Sequence, residues 1–194
     1  MSRRGILLYG PPGSGKDTLT AHLAKVGGYE LFQRLKAGPG RSTGYRLTTP
    51  EQIEQLSSEG QLLYSNSRYG ARYAIDREGL TAIVEGGAVP VLHMGQAVGI
   101  DAVTEYPLEW VKVLLWCSRS TTEERCRARG DQDLSARLNV WDETWQDLMD
   151  HPAVRWSLII DTLKRAPEDA AADIDRLVTA ESITDAALET GDLT

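Results

Sequence analysis

The chain is poor in several features that would have fixed its chemistry at once. It has two cysteines, Cys117 and Cys126, too far apart for a CxxC pair and without a histidine cluster beside them. They offer no disulfide framework and read as buried or idle thiols in a reducing cytoplasm. No apolar run approaches the ~20 residues of a membrane span, and Met1-Ser2-Arg3-Arg4 is too short a lead-in for a signal peptide. Basic residues are outnumbered, 21 Lys and Arg against 28 Asp and Glu, for a net charge of −7. With no basic arm or stripe to offset that balance, a general nucleic-acid binder is disfavoured. Internal repeats and low-complexity segments are missing. So is the Asn-Lys-x-Asp motif of switch GTPases. The acid that ends a central strand in motor-type and AAA-type ATPases is missing too, because Val89 to Leu92 runs into His93-Met94-Gly95.

What is present is concentrated near the start. Ile6-Leu7-Leu8-Tyr9 feeds Gly10-Pro11-Pro12-Gly13-Ser14-Gly15-Lys16-Asp17-Thr18, and a helix-forming segment, Leu19 to Lys25, follows. Strand, glycine loop and helix in that order are the context of a phosphate-binding P-loop. The glycines let successive backbone N–H groups point at a polyphosphate. The new helix adds its positive end, and Lys16 supplies a mobile charge for the outer phosphates. Without a ligand the same residues would be a glycine-rich turn; Gly10, Gly13, Ser14, Gly15 and Lys16 in register favour the phosphate reading. Where a P-loop normally carries Ser or Thr after its lysine, this chain has Asp17, with Thr18 next. Asp17 can bind magnesium directly or through water, or complement the helix N-terminus; the metal role is favoured, with Asp17 or Thr18 as the ligand.

The 194 residues, 41% apolar and 25% charged, suit one soluble domain with room for a small insertion. The spacing predicts a strand over Gly5 to Tyr9 and a helix from Lys16 to Val26 stopped by Gly27-Gly28. A second strand is expected over Tyr29 to Gln33, then a loop over Lys36 to Tyr45. Thr48-Thr49-Pro50-Glu51 opens a short helix. Short strands are expected at Leu62 to Ser65 and Arg72 to Ile75. The segment from about Tyr29 to Ile75 is polar and broken, and reads as an insertion. Strand and helix then alternate: helix Asp76 to Val84, strand Ala88 to Met94, helix Gln96 to Glu105, strand Val111 to Cys117. Ser120-Thr121-Thr122-Glu123 reads as a capping box for a helix reaching Arg129. Leu134 to Met149 is helical with Leu138, Trp141, Trp145 and Leu148 on one face. Trp156 to Asp161 is the last strand, and a helix ends near Leu177. The acidic tail, 179–194, reads as a loose helix or disordered. This alternation implies an α/β, three-layer P-loop fold with a parallel central sheet, whose ligands sit at the carboxyl ends of the strands.

A P-loop says nucleotide, not reaction. The further anatomy is that of a small kinase: a compact core, an inserted polar subdomain and an arginine-bearing break late in the chain. That break lies in Arg125-Cys126-Arg127-Ala128-Arg129-Gly130-Asp131-Gln132-Asp133, with Arg137 beyond. Arginines that close over a transferring phosphoryl group stabilise its spreading charge and exclude water. Arg125 and Arg127 equally suit a solvated helix face with charge pairs such as Glu123 with Arg127. Arg129 and Arg137 fit the lid role better.

These residues carry a resemblance. The chain resembles the guanylate kinase family and, within it, the ribose 1,5-bisphosphate phosphokinases of phosphonate metabolism, which share the Gly-Ser-Gly-Lys-Asp-(Ser/Thr) loop found at Gly13 to Thr18. The resemblance spans roughly Ile6 to Leu177. Tyr45 and the helix after Thr48-Thr49-Pro50-Glu51 match the family's acceptor-binding subdomain. Gly70-Ala71-Arg72-Tyr73 matches its Gly-Asn-x-Tyr turn, and Arg129-Gly130 and Arg137-Leu138 match the lid's Arg-Gly and Arg-Leu pairs. The resemblance implies ATP as donor and a phosphorylated acceptor held by Arg34, Arg41, Tyr45 and Tyr73; Arg68 and Arg72 read either as further candidates for a phosphate or carboxylate on the acceptor or as exposed loop arginines. It also implies a core over 1–30 and 76–178, an acceptor-binding insertion over about 31–75 and a lid over about 129–137. Gly-Pro-Pro-Gly-Ser-Gly-Lys-x-Thr is also similar to the adenylate kinase loop, but Ser42-Thr43-Gly44 lies too far downstream for that family and its Asp-Arg-rich lid is missing.

The departures bear on the acceptor. Guanylate kinases read guanine with two acids; at the matching places this chain has Tyr64 and His93-Met94-Gly95. Neither accepts guanine's N–H donors as a carboxylate does, so GMP is disfavoured. His93 can be read as an acceptor-site residue or as a core histidine at a strand end. The expectation is a cytoplasmic, ATP- and magnesium-dependent kinase acting on a phosphate-bearing small molecule, with no nucleic-acid or membrane partner. That molecule would be a ribose bisphosphate, another sugar phosphate, or a nucleoside monophosphate other than GMP. Lys16, Arg129 and Arg137 would be its catalytic residues. A guanylate kinase proper is the alternative, and a catalytically inactive binding module is the alternative from another class. A phosphate oxygen is already nucleophilic, so no catalytic triad is required.

Overall fold

Ile6, Leu7, Leu8 and Tyr9 are fully buried, and the main sheet is built outward from them. The computed structural model describes residues 3–40, 42–68, 70–131, 133–189 and 193. The first half of the chain runs β1 (Arg4–Tyr9), α1 (Lys16–Val26), β2 (Tyr29–Leu31), β3 (Leu35–Ala37), β4 (Arg46–Leu47), α2 (Pro50–Ser58), β5 (Leu62–Arg68) and β6 (Ala71–Asp76). It continues through α3 (Arg77–Glu85), β7 (Val89–Met94), α4 (Ala97–Thr104), β8 (Glu109–Trp116), α5 (Arg119–Ala128) and α6 (Leu134–Asp150). The chain then closes with β9 (Arg155–Trp156), β10 (Leu158–Asp161), α7 (Pro167–Thr179) and β11 (Ala186–Ala187).

Five strands form a wholly parallel sheet in the order β10-β8-β1-β7-β2. Both faces are covered, which is why these strands read as continuous apolar runs instead of alternating ones. Ile6, Leu8, Val91, Val113 and Leu115 face α1 and α7 through Leu19, Leu23, Ala171 and Ile174. Their neighbours Leu7, Tyr9, Leu92, Leu114 and Trp116 face the other way, onto Leu80, Ile83, Ile100, Val103 and Leu148 of α3, α4 and α6. The three-layer α/β architecture expected from the sequence is what is found. A second sheet, β4-β3-β6-β5, stands apart with its own small core of Leu35, Ala37, Ile53 and Ala74 under α2.

Several local expectations are corrected. The glycine-rich stretch expected to be loop contains β3, whose Leu35, Lys36 and Ala37 are all buried and pair with β6. β2 ends at Leu31 and pairs with β7, so the main sheet takes in Tyr29 to Leu31 and the second sheet begins only at Leu35. Helix α5 starts before the expected capping box: Ser118 is its cap, accepting from Thr121 N at 3.1 Å. Asp76 lies outside α3 as its cap, accepting from Gly79 N at 2.9 Å. The last strand is two, split at Ser157, whose hydroxyl oxygen accepts from Lys112 N at 2.9 Å. Within the tail, β11 pairs antiparallel with β9, because the backbone edge left by that short strand needs a partner. The Thr49 cap of α2 is found as expected, accepting from Gln52 N at 3.2 Å.

Candidate active site

β1 ends in the middle of the sheet, so the loop that follows opens at the carboxyl edge between β7 and β8, where parallel sheets bind ligands. Gly10 is required there by space: a Cβ would stand 2.1 Å from Leu115 O and 2.8 Å from Ser14 Oγ. Gly15 is required by conformation, with φ +89° as the N-cap of α1, a backbone state that costs side-chain-bearing residues about 1–2 kcal/mol. Lys16 folds back across the loop and donates to Gly10 O at 2.6 Å, Pro11 O at 2.9 Å and Ser14 Oγ at 3.3 Å. These carbonyls hold its ammonium where an outer phosphate would take over. Burial pushes Lys16 down to about 8, against the nearby Asp17 carboxylate, which favours its charge.

Two residues of α5 brace the loop from behind. Thr122 donates its hydroxyl to Pro12 O at 2.9 Å. Arg125 donates to Gly13 O at 2.8 Å, to Thr162 Oγ1 at 3.0 Å and to Thr162 O at 3.0 Å, joining the loop to the end of β10. The sequence left Arg125 open to a surface reading because its helical spacing looks like any charged face. Arg127 is on that face, paired with Glu123 at 2.6 Å.

A cleft of about 1010 Å³ runs from this loop to the second sheet. Gly10, Gly13, Ser14, Gly15, Lys16, Asp17 and Thr18 line its floor, Arg129 and Arg137 one wall, and Arg34, Tyr45, Tyr73 and His93 the far side. Thirteen of the residues singled out by the sequence therefore meet in one cavity. Arg72 does not. It lies on the other side of β6, against α2, where it pairs with Glu54 at 3.1 Å. Arg41 lies outside the described residues.

The far side is held by contacts from both sheets. Arg34 donates to His93 O and, at 3.6 Å, to Met94 Sδ, so its guanidinium is anchored to the end of β7. Tyr45 and Tyr73 lie against one another, ring centroids 5.4 Å apart. Buried Lys36 sits 5.5 and 5.8 Å from the two ring centres, a cation–π arrangement that orients the pair. Arg68 pairs with Glu143 of α6 across the cleft. His93 places Nε2 2.7 Å from Thr20 Oγ1 and Nδ1 3.6 Å from Asp17 Oδ1. Burial and the Lys16 charge pull its pKa down to about 4, with Asp17 opposing. It is a neutral imidazole between the loop helix and the far side.

Residues missed by the sequence reading complete the site. Gln96 Oε1 accepts from Tyr64 Oη at 2.5 Å and from Asn66 Nδ2 at 3.0 Å. Asp131 accepts from Arg129 at 2.9 Å, with Arg137 at 3.8 Å. Lys36, Asn66, Gln96 and Asp131 come from four separate segments, and no local pattern announces them.

Among the described residues no three His, Cys, Asp or Glu side chains are grouped to hold a metal on their own. Asp17 and Thr18, exposed on the first turn of α1 and lining the cleft, are hard oxygen donors beside the Lys16 ammonium. That donor chemistry fits magnesium, which is usually shared between one or two protein oxygens, waters and substrate phosphates. No helix among the described residues is long and apolar enough to cross a membrane.

Neither a protein-family model nor a curated protein matches the sequence. Among solved structures, guanylate kinase from Anaplasma phagocytophilum superposes with a TM-score of 0.64 at 16% identity, over 94% of this chain and 88% of that one. The protein APE1195 gives 0.49 at 16% identity, over 93% and 97% of the two chains. A shikimate kinase from Acinetobacter baumannii, in complex with shikimate, gives 0.43 at 18% identity, over 92% and 93%. The first of these likenesses shows a shared fold: the chain has the three-layer α/β architecture of that guanylate kinase.

Proposed function

We propose that the chain is a phosphotransferase that moves the γ-phosphate of ATP to a small molecule already bearing a phosphate. The observation that carries this reading is the single cleft with a P-loop lysine on its floor, two arginines on one wall and a cationic, tyrosine-lined far side. A nucleotide-binding module needs only the floor. The opposing half makes sense if a second, anionic molecule must be held against the first.

In this reading Lys16 and the loop amides grip the β- and γ-phosphates, and Arg125 keeps the loop at the height those amides require. Asp17 and Thr18 would hold magnesium, whose contribution is to neutralise charge on the phosphate oxygens. Arg129 and Arg137 move from Asp131 onto the transferring group, where arginines stabilise its equatorial charge. Arg34, Arg68, Tyr45 and Tyr73 bind the acceptor's own phosphate and set its attacking oxygen in line. A phosphate oxygen attacks without deprotonation at neutral pH, so positioning supplies most of the rate and no general base is assigned. His93, neutral, orients Asp17 and Thr20 and does not carry protons.

Tyr64 and Gly95 line the far side where a guanine reader would need carboxylates, which supports a sugar phosphate or a nucleoside monophosphate other than GMP over GMP itself. Cytoplasmic placement is part of the proposal and rests on the two unpaired, buried thiols. The test is a screen of ribose bisphosphate, other sugar phosphates and nucleoside monophosphates for ADP release that depends on the acceptor, with Lys16→Ala as the inactive control. Tight ATP binding with no acceptor-stimulated turnover would point to the binding module.

A further inference from the structure

The far side of the cleft carries one polar atom to which the fold gives no partner. Asn66 Oδ1 is shut away from solvent and, among the described residues, is the only buried side-chain nitrogen or oxygen without a hydrogen-bond partner. Buried polar atoms are nearly always paired, and each exception asks for a reason. Its own amide nitrogen is not the problem: Nδ2 donates to Gln96 Oε1 at 3.0 Å. That same oxygen accepts from Tyr64 Oη at 2.5 Å, so both of its acceptor directions are in use. In this arrangement Gln96 holds the Nδ2 end of the Asn66 amide, and the carbonyl end is the end left over. A buried acceptor left unpaired is costly to the fold. The atom is satisfied when another molecule supplies a donor.

The surroundings say what kind of donor. Asn66, Tyr64, Gln96, Arg34 and Arg68 all line the cleft, and among the described lining residues the only carboxylates are Asp17 on the loop helix and Asp131 on the lid wall. The far side thus has cationic groups for an anion and neutral amides for whatever the anion is attached to. A carboxylate would suit an amidine-like edge; a lone amide oxygen suits a single uncharged O–H or N–H.

We propose that Asn66, aimed by Gln96 and Tyr64, determines acceptor specificity: its Oδ1 accepts a hydrogen bond from one neutral hydroxyl or amino group of the phosphorylated acceptor. Because Oδ1 is shut away from solvent, accepting this hydrogen bond requires the Asn66 side chain to turn toward the cleft that it lines. This assignment rests on the kinase reading for the name of the ligand as an acceptor, but not for its binding. Two sources of the donor share this chemistry, a sugar hydroxyl and a base amino or imino group, and they separate in the test.

Wild type, Asn66→Leu and Asn66→Ser are compared by calorimetric binding of ribose 5-phosphate, 2-deoxyribose 5-phosphate, ribose 1,5-bisphosphate, AMP and GMP, with a non-hydrolysable ATP analogue present, and then by turnover with ATP. The expected result is that at least one of these ligands binds wild type and loses about 10- to 100-fold in affinity in Asn66→Leu, with binding of the ATP analogue unchanged. Unliganded Asn66→Leu should melt at or above the wild-type temperature, since an unpaired buried polar atom has been removed; Asn66→Ser serves if the leucine variant does not fold. If the source is a sugar hydroxyl that the deoxy compound lacks, that compound binds wild type and Asn66→Leu alike, the two losses being non-additive. If it is a base group, only the nucleotides respond. Equal affinity of wild type and Asn66→Leu for every ligand overturns the proposal, as does a wild type that binds none of them. Asn66-dependent binding without turnover would leave this proposal standing and sink the kinase reading. Turnover that ignores Asn66 would do the reverse.

Discussion

Arg129 Nη2 and Arg137 Nε approach the same oxygen, Asp131 Oδ2, at 2.9 and 3.8 Å. The two guanidiniums thus rest on a carboxylate of their own segment. Burial alone would raise the Asp131 carboxyl, but contact with the Cys126 thiol and the two guanidiniums holds it below the usual range. It is charged at neutral pH, and in the proposed lid role of the two arginines it would compete with an incoming phosphate. Asp131→Asn should bind ATP about two- to fivefold more tightly, the scale of a partly exposed ion pair. The gain should shrink at high ionic strength, which calorimetry at low and high salt will read. Weaker binding by the variant would mean that Asp131 positions the arginines and does not compete for them.

The Lys16 ammonium, pushed down to about 8 by burial, makes nucleotide binding pH-dependent in a stated direction. Below that pH the lysine is charged and ATP affinity should be flat; above it the charge and the affinity fall together. Phosphates favour the charged form, so binding near pH 8 should take up a proton, seen as a calorimetric heat that varies with the buffer's ionisation enthalpy. Unfolding has the opposite sign to binding. The unfolded chain holds this proton more tightly than the fold, so ligand-free stability should rise as pH climbs from about 8 toward the ordinary lysine range, and Lys16→Met should abolish that rise. With His93 held down to about 4, no histidine inflection near ~6.5 should appear in kcat/KM.

Gly10 and Gly15 should fail differently. A methyl at Gly10 meets the Leu115 carbonyl at 2.1 Å, in backbone that cannot swing aside. Gly10→Ala should cost about 2–4 kcal/mol in urea unfolding and with it nucleotide binding. Gly15 has nothing within 4 Å of an added Cβ and only its φ of +89° against it. Gly15→Ala should cost about 1 kcal/mol and remain folded. Equal losses would contradict the steric account of Gly10.

Arg125 is predicted to act on the donor side alone. Its three hydrogen bonds tie Gly13 O to both oxygens of Thr162, a fork that lysine cannot reproduce. Arg125→Lys should raise the KM for ATP about tenfold or more while leaving the acceptor's KM near wild type. A change confined to the acceptor would show that the loop does not depend on this brace.

The floor of the cleft was legible because its residues are consecutive: Ile6 to Thr18 read as strand, glycine turn, lysine and helix start, while the alternation of strands and helices along the whole chain implied the parallel sheet. Arg129 and Arg137, which lie either side of a glycine break in the sequence, do meet in the cleft. The far side was not legible. Lys36 sits in a glycine-rich stretch that suggests loop, and only burial under Tyr45 and Tyr73 makes it strand. Asn66 lies on β5 of the second sheet and Gln96 caps α4 beyond β7, and they mean something only once paired. Arg72, next to the tyrosine that does reach the cleft, faces away because adjacent strand residues point to opposite sides. Arg125 looked like surface because helical spacing says which face a residue shares, not what that face packs against.

The most direct measurement follows a radiolabelled γ-phosphate. Wild-type protein, ATP carrying the label, magnesium and each candidate acceptor are mixed, and the fate of the label is resolved by chromatography. The account predicts that label appears on a sugar phosphate or a nucleoside monophosphate other than GMP, at a rate set by the acceptor and lost in Lys16→Ala. Label released only as inorganic phosphate at a rate indifferent to every acceptor would contradict it, and so would rapid transfer to GMP in preference to all the others.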